Sequence, residues 1–257
     1  MRRVLVVGGA NGIGLSIATE LAHKSDIEKI YIVDKSPVSE EYTSSKFESF
    51  LFDLTQDDYS IFDNFQDIDT LVITAGFGKL SLFRDIDEDQ IVQSFNVNTI
   101  PVIRLIKRFY DKLESKQDFY CCVMVSIAGF MSSPFFSVYA STKAALRIFI
   151  ESVNVELLKS GTSNQILNVS PGSIKGTSFK HGNRTDLSVV APMSKAIIDE
   201  MNKKNDLFIP QYDEVFKEVL QRYQDDFRKE GAHSYDYKLQ TREMDIVKRE
   251  NNITISE

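Results

Sequence analysis

The chain has 257 residues, 42% of them hydrophobic, 26% charged and 11% aromatic. Such a composition excludes disordered, collagenous and disulfide-scaffold classes, and a chain this long can bury a substantial core in a single α/β domain. Thirty lysines and arginines stand against 37 aspartates and glutamates, a formal net charge of −7. That balance argues against nucleic-acid or anionic-membrane partners, which require clustered cations.

In chain order, Val4–Val7 is an apolar, β-branched run that ends at Gly8-Gly9. Four residues are too few for a signal sequence or a membrane span, and no run elsewhere reaches the ~18 apolar residues a span needs. Further short strands are expected at Ile30–Val33, Phe50–Phe52, Thr70–Thr74, Tyr120–Val125 and Gln165–Val169. Helical spacing runs through Ile13 to Ala22, through Gln90 to Leu113 with a kink at Pro101, and through Tyr139 to Leu158. Alternating strands and helices predict a doubly wound parallel α/β sheet covered on both faces. No repeat and no linker divides the chain, so residues 1–257 read as one domain. Adjacent Cys121 and Cys122 read as buried thiols in a reducing, cytoplasmic compartment.

After Gly172 the character changes. Ser173 to Asn183 reads as a polar lid. Tyr212, Val215, Phe216, Val219, Leu220, Tyr223 and Phe227 form a stripe expected in the core or a subunit interface. The charged end of the chain carries one further candidate strand at Asn252–Ser256.

Between the first strand and first helix lies Gly8-Gly9-Ala10-Asn11-Gly12-Ile13-Gly14. Glycines permit a tight turn and close backbone approach, and a helix N-terminus offers free amides to phosphate. In this strand–turn–helix setting the turn reads as a pyrophosphate site. Asp34, closing the second strand, suits ribose hydroxyls and repels a 2′-phosphate, favouring NAD over NADP. Asn11, where a basic residue would serve NADP, points the same way, whereas Lys35 softens the preference.

Tyr139 and Lys143 are four residues apart, on one helix face. A free phenol titrates near pH ~10, and a neighbouring cation would lower that value and make Tyr139 a usable general acid–base group. Ser126 follows the fifth strand, at the edge where doubly wound sheets bind ligands. Three scattered histidines and no thiolate cluster give no metal site.

With these residues in place, the sequence resembles the short-chain dehydrogenase/reductase family in its short, single-domain, Rossmann-type form, over about residues 1–177. The resemblance rests on the glycine turn, Asp53-Leu54, Ala75-Gly76, Asn98, Ser126, Tyr139 with Lys143, and Pro171-Gly172. It implies that Gly8, Gly12, Ile13 and Gly14 hold the pyrophosphate, that Asp53 and Leu54 meet the adenine, and that Ala75 and Gly76 pass behind the nicotinamide ribose. Asn98, rather than Asn96, would open a helix kink and fix a water near the lysine. Ser126 would orient the substrate oxygen, Tyr139 would move the proton, and Lys143 would bind ribose and lower the tyrosine pKa. Pro171, Gly172, Ile174 and Thr177 would contact the carboxamide side of nicotinamide.

The chain departs from the family at Val7, at Ile73-Thr74, in a short Asp53–Asp69 segment where helix should be reduced, and in its charged tail, expected to leave catalysis untouched. Phe77, Phe130, Met131, Phe135, Phe136, Phe179 and His181 are candidates for the substrate cleft. The expected activity is NAD(P)-dependent interconversion of a secondary alcohol and a ketone by a homodimer or homotetramer joined through residues 91–113 and 139–158. The rivals are a catalytically silent dinucleotide-binding regulator and a carrier-linked ketoacyl reductase.

Overall fold

The computed structural model describes residues 1–177 and 185–240. Phe179, His181 and the candidate strand Asn252–Ser256 lie outside the described residues. Seven parallel strands form one sheet in the order β3-β2-β1-β4-β5-β6-β7. They are β1 Arg3–Val7, β2 Lys29–Asp34, β3 Phe47–Leu51, β4 Thr70–Ile73, β5 Tyr120–Met124, β6 Ile166–Val169 and β7 Leu207–Phe208. The order reverses between β1 and β4, which places a crevice at the carboxyl ends of those strands.

Strand period 2 divides the side chains between two cores. Leu5, Val7, Leu71, Ile73, Cys121 and Val123 face one layer with Leu105, Ile106, Leu146 and Ile150. Val4, Val6, Val72 and Cys122 face the other with Ile17, Leu21, Ile197 and Met201. The first layer holds helices α2 Glu88–Asn98, α3 Ile100–Arg108, α4 Tyr110–Glu114 and α5 Ser137–Ser160; the second holds α1 Gly12–Ala22 and α6 Leu187–Asn202. Both cysteines are free and buried, as expected.

Several expectations need correction. The third strand starts three residues earlier than Phe50, because its exposed Glu48 and Ser49 interrupt the apolar run. Gln90 to Leu113 is three helices and not one kinked helix: breaks fall at Thr99 and Phe109, and Pro101 sits in the first turn of α3, where its missing N–H costs nothing. Residues 60–65 form only a short 3₁₀ segment, in line with the reduced helix. A strand the sequence pattern does not announce, the two-residue β7, pairs with Asn168 and Val169. None of the Tyr212–Phe227 stripe is buried in the core. It is spread over a π-turn Tyr212–Phe216, helix α7 Lys217–Asp225 and the start of α8 Phe227–Gln240.

Candidate active site

The glycine turn is built by close backbone contacts. A Cβ on Gly8, whose φ is +86°, would lie 2.4 Å from the Ala75 amide; one on Gly14 would lie 2.2 Å from the Gly8 carbonyl oxygen and 2.4 Å from Thr74 Oγ1. Thr74 donates to that same carbonyl at 2.9 Å, keeping the backbone bond that a threonine in this place can make. These contacts bring the ends of β1 and β4 together and leave a cradle that fits a pyrophosphate at the start of α1. Gly12 is also left-handed, φ +56°, and Ile13 is half-buried. Asn11 caps α1 with extended backbone and no side-chain bond.

Asp34 stands at the end of β2, with Oδ2 accepting from the Ala10 amide at 3.0 Å and Oδ1 from the Ser36 amide at 3.0 Å. The carboxylate therefore fastens the turn to the second strand, a role sequence spacing did not disclose. Asp53 follows β3, where Thr55 donates from its amide and hydroxyl and holds the carboxyl below its ordinary value. Leu54 packs half-buried against the first core.

Ser126, Tyr139 and Lys143 converge beyond the end of β5. Ser126 Oγ accepts from the Ala128 amide at 3.1 Å, and its side chain is hydrogen-bonded to the Tyr139 phenol. Lys143 is 3% exposed; its Nζ donates to the Met124 carbonyl at 2.9 Å and lies 5.7 Å from the centroid of the Tyr139 ring. Gly129 lets α5 approach, since a Cβ there would meet the Lys143 carbonyl at 2.8 Å.

Both titrating groups are governed by removal from water, which favours neutral forms. Burial pushes the Tyr139 phenol up to about 12, against the opposing pull of the Ser126 bond. Burial pushes the Lys143 ammonium down to about 8. The expected lowering of the tyrosine by the lysine is therefore not found in this structure: desolvation sets both groups, and what opposes it at Tyr139 is Ser126.

Asn98 is fully buried at the end of α2, beside the break that separates it from α3. Its Oδ1 accepts from the Phe77 amide at 2.9 Å, and its Nδ2 donates to the Phe77 carbonyl at 2.8 Å and to Thr142 Oγ1 at 3.2 Å. It clamps the Ala75–Phe77 backbone to α5. A Cβ on Gly76 would lie 3.2 Å from Asn98 Oδ1 and 3.5 Å from Lys143 Nζ, so the two strand ends meet over the lysine.

Pro171 follows β6 and its carbonyl accepts from the Ile127 amide at 3.0 Å, tying this segment to the Ser126 turn. Gly172 lies under the Phe216 ring, 2.6 Å from a Cβ placed there. Thr177 Oγ1 donates to the half-buried Ile174 carbonyl at 3.3 Å, and its side chain lies 3.8 Å from a Cβ on Gly12. Sequence reasoning missed Phe216 as a cover for Gly172, and missed Thr185, whose hydroxyl accepts from the Gly12 amide. A threonine among polar neighbours carries no signal for its contact, and Phe216 read only as one member of a helical stripe.

A doubly wound sheet with a glycine-lined crevice and a serine–tyrosine–lysine group at its carboxyl edge defines a dinucleotide-binding α/β protein of the oxidoreductase type. The sequence model described as short chain dehydrogenase matches residues 2–188, and the chain belongs to the short-chain dehydrogenase/reductase family. It is 25% identical over 237 residues to retinol dehydrogenase 8 of Bos taurus, covering 87% of this chain and 75% of that protein. It is 30% identical over 104 residues to 17-beta-hydroxysteroid dehydrogenase type 1 of Homo sapiens, covering 40% of this chain and 32% of that one. In fold it resembles a short chain dehydrogenase from Burkholderia cenocepacia in complex with NADP, with TM-score 0.74 and 18% identity over 91% of this chain and 99% of that chain. A second solved structure, from Burkholderia phymatum in complex with NAD, gives TM-score 0.74 and 14% identity over 88% and 94%.

Proposed function

We propose that the chain is an NAD(H)-preferring oxidoreductase that interconverts a secondary alcohol and a ketone, with Tyr139 as general acid–base. The observation that carries this reading is the Ser126–Tyr139 hydrogen bond, with Lys143 5.7 Å from the same ring. The bound nicotinamide supplies hydride in reduction and accepts it in oxidation. Gly8, Gly12, Ile13 and Gly14 hold the pyrophosphate, Asp34 the adenosine ribose, Asp53 and Leu54 the adenine. Pro171, Gly172, Ile174 and Thr177 line the carboxamide side, with Ala75 and Gly76 behind the ribose.

In reduction Tyr139 Oη gives its proton to the substrate oxygen; in oxidation it takes the hydroxyl proton. Ser126 donates a hydrogen bond to that same oxygen and holds it within reach. Lys143 favours the phenolate as the proton leaves, and Asn98 keeps the backbone over the lysine in place. The names of two relatives, a retinol and a hydroxysteroid dehydrogenase, fit an apolar substrate, as do Phe77, whose backbone pairs with Asn98, and Phe136, packed against the Tyr139 ring.

NAD preference rests on Asp34, although the solved relatives in fold include both NADP and NAD complexes. A homodimer or homotetramer is supported by exposed Val92, Ile100, Ile148, Val155 and Leu158 on α2, α3 and α5. The free, buried cysteines fit the cytoplasm, and among the described residues no helix is long and apolar enough to cross a membrane. Residues 173–177 and 185–240 act as lid and tail of the same domain. The test is consumption of NADH and NADPH against a panel of ketones, steroids, sugars and oxo acids. Turnover with NADH favoured is expected; tight NADH binding without turnover of any member would overturn the reading.

A further inference from the structure

We propose that α8 is a positioning element for the proton-transferring tyrosine: Lys238 and Tyr235 hold the Ser132–Phe136 loop, and through Phe136 they fix the ring of Tyr139. The inference rests on the reading of Tyr139 given above and adds to it a role for the tail, where the family resemblance ends.

The contacts form a short chain. Lys238 Nζ donates to Ser133 Oγ at 2.7 Å and to the Pro134 carbonyl at 2.9 Å, and lies 5.8 Å from the Phe136 ring centroid. Tyr235 stacks on Phe135, centroids 4.5 Å apart and planes 27° from parallel. Leu239 joins Leu80 and Leu82 around that buried phenylalanine. Gly231 admits the loop closely, since a Cβ on it would meet Ser132 Oγ at 3.0 Å. Helix α8 is itself braced against α7, where Arg222 donates to both oxygens of buried Glu230 at 2.8 and 3.2 Å.

Phe135 is the telling residue. Its φ is +65°, a left-handed conformation that a bulky side chain keeps only where its surroundings over-determine it. Here those surroundings are the Tyr235 ring, Leu239 and the Ser81 amide, which donates to the Phe135 carbonyl at 2.9 Å. Forced through that turn, the chain emerges at Phe136, whose carbonyl accepts from the Ala140 amide in the first turn of α5 at 2.7 Å. The Phe136 ring meets the Tyr139 ring edge-on, centroids 5.1 Å apart at 75°. A phenol moved by an ångström loses about 10²-fold in rate, so a loop anchored only at its α5 end would be a poor support for it.

The test uses the full chain. Lys238→Met keeps the stem and removes the donors; Lys238→Arg restores donors. Hydrogen exchange of residues 131–139 is read by mass spectrometry, NADH affinity by fluorescence titration, and kcat and KM with the ketone that wild type reduces fastest. Lys238→Met should raise exchange in 131–139 about ten-fold, with strands β1 and β4 unchanged. It should lower kcat about ten-fold while moving KM and NADH affinity less than about three-fold, and Lys238→Arg should recover most of the loss. Tyr235→Leu, which removes the stack and spares Lys238, should give the same pattern and decides the matter if Lys238→Met does not fold. Unchanged exchange, or faster exchange with unchanged kcat, overturns the positioning role alone. A wild type that reduces no ketone overturns the assignment of Tyr139, and this proposal falls with it.

Discussion

The hydroxyl of Thr185 accepts a 2.6 Å hydrogen bond from the amide of Gly12 in the phosphate turn. The Thr185 carbonyl in turn accepts from the Tyr42 hydroxyl at 3.0 Å, so one buried residue joins the first turn, the loop after β2 and the entry to α6. An amide serves one strong acceptor at a time, and a phosphate oxygen seeking Gly12 finds Thr185 there. A hydrogen bond of this kind is worth about 0.5–1.5 kcal/mol net. Thr185→Val should therefore tighten NADH binding about two- to ten-fold in a fluorescence titration, and Tyr42→Phe should act in the same direction more weakly. Unchanged or weaker binding in Thr185→Val would remove Thr185 as a competitor for that amide.

Two glycines of one turn should respond differently to alanine. At Gly14 the added methyl meets the Gly8 carbonyl at 2.2 Å and Thr74 Oγ1 at 2.4 Å, whereas at Gly12 it meets nothing closer than the Thr177 side chain at 3.8 Å. Gly14→Ala must push β1 and β4 apart, an overpacking cost of about 1–3 kcal/mol, and should lose NADH affinity as well. Gly12→Ala carries only the left-handed backbone strain, about 1–2 kcal/mol. Thermal melts of both variants, with NADH titrations alongside, should rank Gly14→Ala as the more damaged in binding; the reverse order would mean that the cradle is not set by the Gly8–Gly14 contact.

Legibility in the sequence followed how local each cause is. Strands β1, β2, β4, β5 and β6 are short β-branched or apolar runs, and their pattern alone places them within a residue or two. Strand β3 is paired on one side and half polar, and β7 has two residues, too few to form a pattern. Tyr139 and Lys143 were found because an i, i+4 pair is a local geometry. The direction of their titration was not, because burial comes from the packing of β5, α2 and α5 around them. The grip of α8 on the Ser132–Phe136 loop joins residues 105 positions apart, and no spacing rule reaches that far. The contact between the tail and that loop was illegible for that reason.

Tyr139→Phe removes the hydroxyl and keeps the ring that packs edge-on against Phe136. Fold and NADH affinity should be retained, since the ring packing is kept and the glycine turn is held by Thr74, Ala75, Asp34 and Thr185. Loss of the proton-transfer group should lower kcat by about 10²–10⁴-fold. Turnover within about three-fold of wild type would refute the assigned role.

The buried lysine gives a stability signature whose sign can be worked out. Lys143 titrates near 8 when folded and near ~10.4 when unfolded. Below pH 8 both states carry the proton and the full cost of burying the charge is present. Between about 8 and 10 the folded state releases its proton first, the unfolded state binds more, and stability rises with pH. Buried acids oppose this. Burial raises both cysteine thiols, Cys122 to about 12, and holds Tyr139 and Tyr59 up to about 12, so the unfolded state loses those protons first and stability falls above their ordinary values, from about pH 9 for the thiols and about 10 for the phenols. The Lys143 contribution is isolated by comparing denaturant unfolding of wild type and Lys143→Met from pH 7 to 9. The wild type should gain stability relative to the variant across that interval, by up to about 1 kcal/mol per pH unit. Parallel curves would mean that Lys143 keeps its charge in the folded protein, with Met124 and Tyr139 compensating for its removal from water.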